Sequence, residues 1–436
     1  MSFSRVFSLQ THGLKGIVVS VETDLSRGLY SFPVVGLPDK AVEESRDRMA
    51  SALKNSGLES PKSKNQKVIV SLSPADLKKE GAYFDLAMAL GYLLSDEIIA
   101  FDPEKKIFIG ELSLNGELRS VKGVLPLVEE AKRKGFTEIF VPFENAKEAG
   151  LVKGISIYAV KTLREIVDHL NTKKKEGEDI AQLSPIEETQ IERKEQTFDI
   201  DWSDIKGQES AKRGLEIAAA GGHNIAMSGP PGTGKTMLAK AFSSVLPDLT
   251  QQEILEITGI HSVAGALQDD LIVHPPFRSP HHTSSYVSMI GGGTFPRPGE
   301  VTLAHKGVLF LDEFPEFEKR VIESLRQPLE DRIVTVSRAK ATIAFPSHFI
   351  LVCAMNPCPC GYNGSEKKQC ICTASDLSRY SRKVSGPIMD RIDMWTTVGA
   401  LEYETLSESG PSGDSSRQVK ERIKKARDIQ KKRFKD

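Results

Sequence analysis

One octapeptide constrains this chain more than any other feature: G-P-P-G-T-G-K-T at positions 229–236. Apolar residues 225–227 precede it, and Met237, Leu238, Ala241 and Phe242 follow at helical spacing, so it joins a strand to a helix. Gly229, Gly232 and Gly234 let backbone N–H groups turn inward round an anion, and the new helix points its positive end at the same place. Pro230, Pro231 and Thr233 fill out the loop, which makes 229–237 the expected nucleotide cradle. Lys235 reaches the β/γ-phosphates, the Thr236 hydroxyl holds Mg²⁺, and Met237 opens the helix beside them. The expectation is an ATP-binding α/β sheet with its site at the carboxyl ends of the strands.

At 436 residues the chain is long enough for two domains. Lys and Arg number 58 against 59 Asp and Glu, a net charge of −1, so any contact with nucleic acid must come from local patches. Residues 1–10 lack the apolar core of a signal peptide, and no later stretch is long and apolar enough to span a bilayer. A soluble, cytoplasmic protein without a membrane partner is expected. All five cysteines lie within 353–372, unlike the spread of a secreted disulfide scaffold.

β-branched runs at 17–21 and 68–72 flank a stretch of helical spacing at 40–56; a second apolar helix covers 85–94. Strands at 107–109 and 138–141 bracket a helix at 125–134, so residues 1–170 read as an α/β domain. The segments 71–90, 110–124 and 140–146 resemble the Lon-type fold shared by Lon proteases and the C-terminal domain of RadA. Where that resemblance puts a serine and a lysine, this chain has Ala82-Tyr83-Phe84 and Val124-Leu125. A Ser/Lys hydrolase needs both groups within hydrogen-bond reach, so a non-proteolytic scaffold or binding module is expected. Residues 171–198, charged and poor in aromatics, read as a linker.

Residues 199–405 follow as the nucleotide-binding domain. The run G-V-L-F-L-D-E at 307–313 is a strand buried on both faces that ends in two carboxylates. Asp312 is placed to hold the water shell of Mg²⁺ and Glu313 to orient or deprotonate the attacking water. A strand at 349–355 ends at Asn356.

The order of these motifs resembles that of AAA+ ATPases. The resemblance places Ile205, Gly207 and Gln208 against the adenine, makes Asn356 the sensor-1 amide and makes Arg391 an arginine finger offered to a neighbouring subunit. Arginine suits that task because its fork neutralises charge spread over the transferring phosphoryl oxygens. Two insertions, F-R-S-P-H-H-T-S-S at 277–285 and an alternating, hairpin-like stretch at 331–344, resemble the magnesium-chelatase-like group. With the Lon-like first domain and N-P-C-P-C-G-Y, the chain is similar nearly throughout to the ComM/YifB-like family. That resemblance implies a hexameric ring acting on single-stranded or branched DNA, a helicase promoting branch migration in natural transformation. Arg278, Arg332, Arg338 and Lys340, with His281 and His282, would face the pore. The rival from another class is a chelatase-like ATPase that remodels a metal-insertion complex and binds no DNA.

Cys358, Cys360, Cys370 and Cys372 form a C-x-C…C-x-C pair within 356–373. Four thiolates on one short loop suit Zn²⁺, with redox chemistry and plain thiols as the alternatives. Cys353, inside an apolar strand, reads as core. Residues 406–436 read as a turn-rich segment followed by a basic helix at 417–435. AAA+ modules continue into a helical lid, so the expectation is a truncated lid and doubtful turnover.

Overall fold

The computed structural model describes residues 3–173, 182–192, 198–267, 271–293, 296–338, 341–365, 368–402 and 413–434. The chain divides into two units, Met1–Ile191 with His261–Leu271, and Glu192–Ile260 with Ile272–Asp436.

In the first unit the strand Lys15–Arg27 pairs antiparallel with Phe3–His12 on one side and Gln66–Ser73 on the other. Val34–Val35 closes the sheet in parallel. Val19, Val21 and Thr23 point inward while their chain neighbours are less buried, the period-two pattern of a strand with one covered face. A second sheet of three parallel strands, Lys106–Phe108, Glu138–Pro142 and Ser156–Val160, completes the mixed α/β unit. The opening strand Phe3–His12 is not among the expected elements. Its inward side carries Ser4, Ser8 and Gln10, each at most 5% exposed, beside a single apolar residue, Val6, so the sequence shows no sustained apolar alternation. The buried polar atoms find backbone partners instead: Ser4 Oγ donates to the Gly91 carbonyl at 2.7 Å and Gln10 Nε2 to that of Lys78 at 3.0 Å.

The helix Lys40–Asn55 starts where Asp39 accepts from the Val42 N–H at 2.9 Å. The apolar helix Asp85–Ser95 is buried nearly all round. Its first residue, Asp85, is fully buried and takes a fork from Arg48, Nε at 2.7 Å and Nη2 at 3.1 Å, besides the Leu112 N–H at 3.2 Å. Burial nevertheless raises the Asp85 pKa, with Arg48 pulling the other way.

The expected linker departs from the sequence reading over 183–189, which belongs to the first unit. Ile186 N–H donates to Ile157 at 2.8 Å, Thr189 N–H donates to Gly150 at 2.9 Å, and Leu183 packs on the first unit's core. These residues have no helix or strand of their own and are held by the backbone of the unit they follow. Lys173 donates to the Glu97 carbonyl at 2.7 Å; Lys174 and Lys175 lie outside the described residues.

The second unit is a five-stranded parallel sheet in the order Phe277–Arg278, Val308–Leu311, Ile350–Met355, Ile225–Ser228, Met394–Thr397. All four residues of Val308–Leu311 are buried, as a strand covered by layers on both faces requires. The register sets Ser228 beside Met355 and Leu311 beside Cys353, so the loops that follow three neighbouring strands emerge together. The alternating stretch is a hairpin, Ile333–Arg338 paired with Ala341–Pro346. The basic helix is observed at Ser416–Arg433 and is more than a solvated tail. It sends Val419 and Ile423 into the core, and Arg427 caps the helix Glu209–Gly221 by donating to the Ala219 carbonyl at 2.7 Å. Among the described residues no helix is long and apolar enough to cross a membrane.

Candidate active site

The P-loop strand Ile225–Ser228 runs into a loop whose Gly232 (φ 76°) and Gly234 (φ 88°) adopt the left-handed conformation that side chains resist. At Gly229 the constraint is proximity: an added Cβ would lie 2.1 Å from the Val398 carbonyl oxygen. The loop delivers Lys235 as the first residue of the helix Lys235–Ser244. Its ammonium donates to the carbonyls of Gly229 at 2.7 Å and Pro230 at 2.9 Å and to Asn356 Oδ1 at 3.2 Å. Burial lowers the Lys235 pKa, and the charge of Asp312 opposes the shift.

Two carboxylates arrive from the end of Val308–Leu311, which the strand Ile350–Met355 separates from the P-loop strand. Thr236 Oγ1 donates to Asp312 Oδ2 at 2.7 Å, which brings a hydroxyl and a carboxylate together as hard oxygen donors. That donor set fits Mg²⁺, which would neutralise phosphate charge between them. Glu313 sits at φ 51°, an uncommon left-handed backbone for a residue with a Cβ, and its N–H donates to Asp312 Oδ1 at 2.9 Å. Such outliers cost about 1–3 kcal/mol and cluster at working sites. His282 Nδ1 lies 3.1 Å from Glu313 Oε2, and the His281 ring packs on His282 at 4.2 Å between centroids.

These groups surround a cavity of about 760 Å³ lined by residues 231–237, by Ser279, Pro280, His281 and His282, and by Asp312, Glu313 and Asn356. Lys235, Thr236, Asp312, Glu313 and Asn356, expected to act together, are thus brought to one place. His281 and His282, which the family resemblance turned toward a pore, stand here in the wall of this cavity. Sequence reasoning missed the His282–Glu313 contact, because nothing in S-P-H-H-T shows which way either imidazole turns. Ile205 belongs to the apolar core, and the Gln208 amide donates to the Gly399 carbonyl at 2.7 Å and that of Thr233 at 3.4 Å. Gly207 (φ 57°) supplies the turn before the helix Glu209–Gly221. The cavity wall does not include Ile205, Gly207, Gln208, Gly229 or Pro230.

Arg391 stands outside this cavity, paired with Glu330 and donating to the Pro387 carbonyl. Arg278, expected among the DNA-facing residues, instead forms a bidentate pair with Glu300 at 2.7 and 2.8 Å. A fork closed on a carboxylate inside the chain does not present its charge to a phosphate. Arg332 (φ 58°) ends the helix Arg326–Asp331 with an exposed side chain. Arg338 ends the first hairpin strand, and Lys340 lies outside the described residues. Cys358, Cys360, Cys370 and Cys372 bring all four sulfurs within 4.8 Å of one another, while Cys353 is buried in its strand.

A family model described as magnesium chelatase, subunit ChlI, matches residues 201–406, and a second, subunit ChlI of Mg-chelatase, matches 21–145. The competence protein ComM of Haemophilus influenzae is 42% identical over 440 residues, covering 99% of this chain and 83% of that protein. YifB of Escherichia coli, described as uncharacterized, is 41% identical with the same coverages. The chain belongs to the ComM/YifB-like family. Two shorter similarities, each over 22% of the chain, are to Lon protease 2 of Bacillus subtilis at 34% identity and the DNA repair protein RadA of Streptococcus pneumoniae at 33%. This ComM/YifB-like chain therefore carries a magnesium-chelatase-like AAA+ ATPase, and ATP and Mg²⁺ fit the loop and the oxygen pair described above.

Proposed function

We propose that this protein is an ATP-driven ring motor acting on DNA, a helicase that promotes branch migration in recombination or natural transformation. The observation that carries the reading is the hairpin Ile333–Arg338/Ala341–Pro346, set between the strand that delivers Asp312 and Glu313 and the strand that ends before Asn356. An element tied at both ends to groups that sense the γ-phosphate can move with hydrolysis. The competence name of ComM, at 42% identity, supports the same reading. Arg332, Arg338 and Lys340 supply the local basic patch that a chain of net charge −1 needs. Arg391 completes a neighbour's site in a hexamer, its fork exchanging Glu330 for the transferring phosphoryl group. Lys235 and Asn356 grip the γ-phosphate, Thr236 and Asp312 hold Mg²⁺, Glu313 activates water, and Ile205, Gly207 and Gln208 back the adenine from behind the loop. The Lon-like unit cleaves no peptide and serves as a scaffold, the four cysteines hold Zn²⁺, and the protein works in the cytoplasm.

The alternative, a chelatase-like remodelling ATPase without DNA binding, is favoured by the ChlI match over 201–406. ATPase rates with and without single-stranded and branched DNA separate the two: stimulation supports the motor, and indifference moves the weight to the chelatase-like reading. Arg338→Ala combined with Lys340→Ala should weaken DNA binding and reduce the slope of log affinity against log salt by about 1–2. Wild-type DNA affinity across a salt series in this double variant would remove the hairpin from the reading.

A further inference from the structure

The cysteine knuckle is built for a tetrahedral ion and rests on the nucleotide loop. Cys358 and Cys360 sulfurs are 3.3 Å apart, Cys360 and Cys370 3.5 Å, and Cys358 and Cys370 3.8 Å. A tetrahedral Zn²⁺ with bonds of about 2.3 Å needs sulfurs roughly 3.8 Å apart, whereas a disulfide needs about 2.05 Å. One sulfur also faces a backbone donor: Asn363 N–H reaches Cys358 Sγ at 3.3 Å.

What the knuckle touches gives it a second role. Asn356, which accepts from Lys235, lies two positions before the first of these cysteines. Gly361, inside the knuckle at φ 85°, packs on the P-loop so closely that an added Cβ would sit 2.7 Å from Pro231 Cδ and 2.9 Å from its Cγ. On the far side, Tyr380 Oη donates to the Asn356 carbonyl at 3.0 Å from the helix Ala374–Ser381, which opens directly after the last cysteine and its cap Thr373. The described residues between Asn356 and Thr373 form no helix or strand, so turn hydrogen bonds such as Gly361 N–H to Cys358 O, at 2.9 Å, and the sulfur cluster are what hold them.

We propose that one Zn²⁺ bound by Cys358, Cys360, Cys370 and Cys372 sets the position of Asn356 and Pro231, and thereby makes ATP binding depend on metal occupancy. The proposal rests on the zinc reading above and extends it to control of the nucleotide site. With the ion in place the knuckle is a rigid wedge against Pro231. Without it nothing ties the four sulfurs together, the wedge loosens, and the sensor amide loses its fixed distance to Lys235.

The test uses the full chain purified without chelator, elemental analysis for zinc and titration with a fluorescent ATP analogue. The expected results are about one zinc per chain, and a nucleotide affinity that falls roughly tenfold when a strong chelator strips the ion and returns when zinc is restored. Cys372→Ser should lose both zinc and affinity. Gly361→Ala provides the control that keeps all four thiols: zinc stays near one per chain while affinity falls by a similar factor, because the new methyl displaces Pro231. Absence of zinc from the wild-type protein would overturn the metal reading itself. Zinc at full occupancy with nucleotide affinity unmoved by both chelation and Gly361→Ala would overturn the coupling and leave the metal reading standing.

Discussion

The two units use their polar side chains in different ways. In the first, the buried carboxylates are held by the chain itself: Arg48 closes on Asp85, and Glu148, 5% exposed, takes the Leu125 N–H at 2.8 Å. In the second, Lys235, Thr236, Asp312, Glu313 and Asn356 turn toward a common cavity of about 760 Å³. The cavity of about 340 Å³ in the first unit holds Asp96, but Lys64, Gln66 and Tyr92 already engage that carboxylate. A polar group held by its own chain contributes to folding, and one left facing space is available for chemistry.

The sharpest way to break this contrast is at the open site. Glu313→Gln should leave ATP bound and lower turnover by about 10²–10⁴-fold, the usual contribution of a general base. Lys235→Ala should abolish nucleotide affinity, because it removes a phosphate contact. If both variants lose binding equally in a nucleotide titration, Glu313 is a binding residue and the division of labour fails.

The closed site makes a prediction of comparable size on stability. Arg48→Met leaves the Asp85 carboxylate buried without its fork and should cost about 3–5 kcal/mol in chemical denaturation of the first unit. Adding Asp85→Leu should recover most of that loss, since the uncompensated charge is then gone. A single variant as stable as the wild type would show that Asp85 is held by something other than Arg48.

A smaller effect separates the units by pH. Burial, helped by Arg332 and Lys306, pushes the His348 pKa of the second unit down to about 4 from an unfolded value near 6.5. Above pH 6.5 the imidazole is neutral in both states and contributes no pH dependence. Between 6.5 and 4 the unfolded chain takes up the proton first, so stability falls as pH falls through that window. After discounting for partial exposure the loss is on the order of 1–2 kcal/mol. It should be visible in denaturation midpoints measured from pH 7 to 4.5 and flattened in His348→Gln. A wild-type curve level over that range would contradict it.

How much was legible in the sequence follows the same division. Most of the catalytic loop could be read directly, because glycine spacing and a lysine at a helix start encode a local geometry that needs no distant partner. The strand at 307–313 and the hairpin were legible for the same reason: apolar runs and period-two alternation are local signals. The strand Phe3–His12 was hidden because most of its inward residues are polar and find their partners far along the chain, at Gly91, Ser95 and Lys78 among others.

By itself, then, the sequence determined that a phosphate cradle exists, which acids stand nearest it, and that four cysteines occupy one loop. Only the tertiary structure decided that Arg278 closes on Glu300, that His282 meets Glu313, that residues 183–189 lie along the rest of the first unit, and that Gly361 presses on Pro231. The reason is range. Backbone conformation and hydrophobic period depend on neighbours a few residues away, whereas the partner of a charged or aromatic side chain is fixed by which loops the strand order brings together, and no local pattern carries that information.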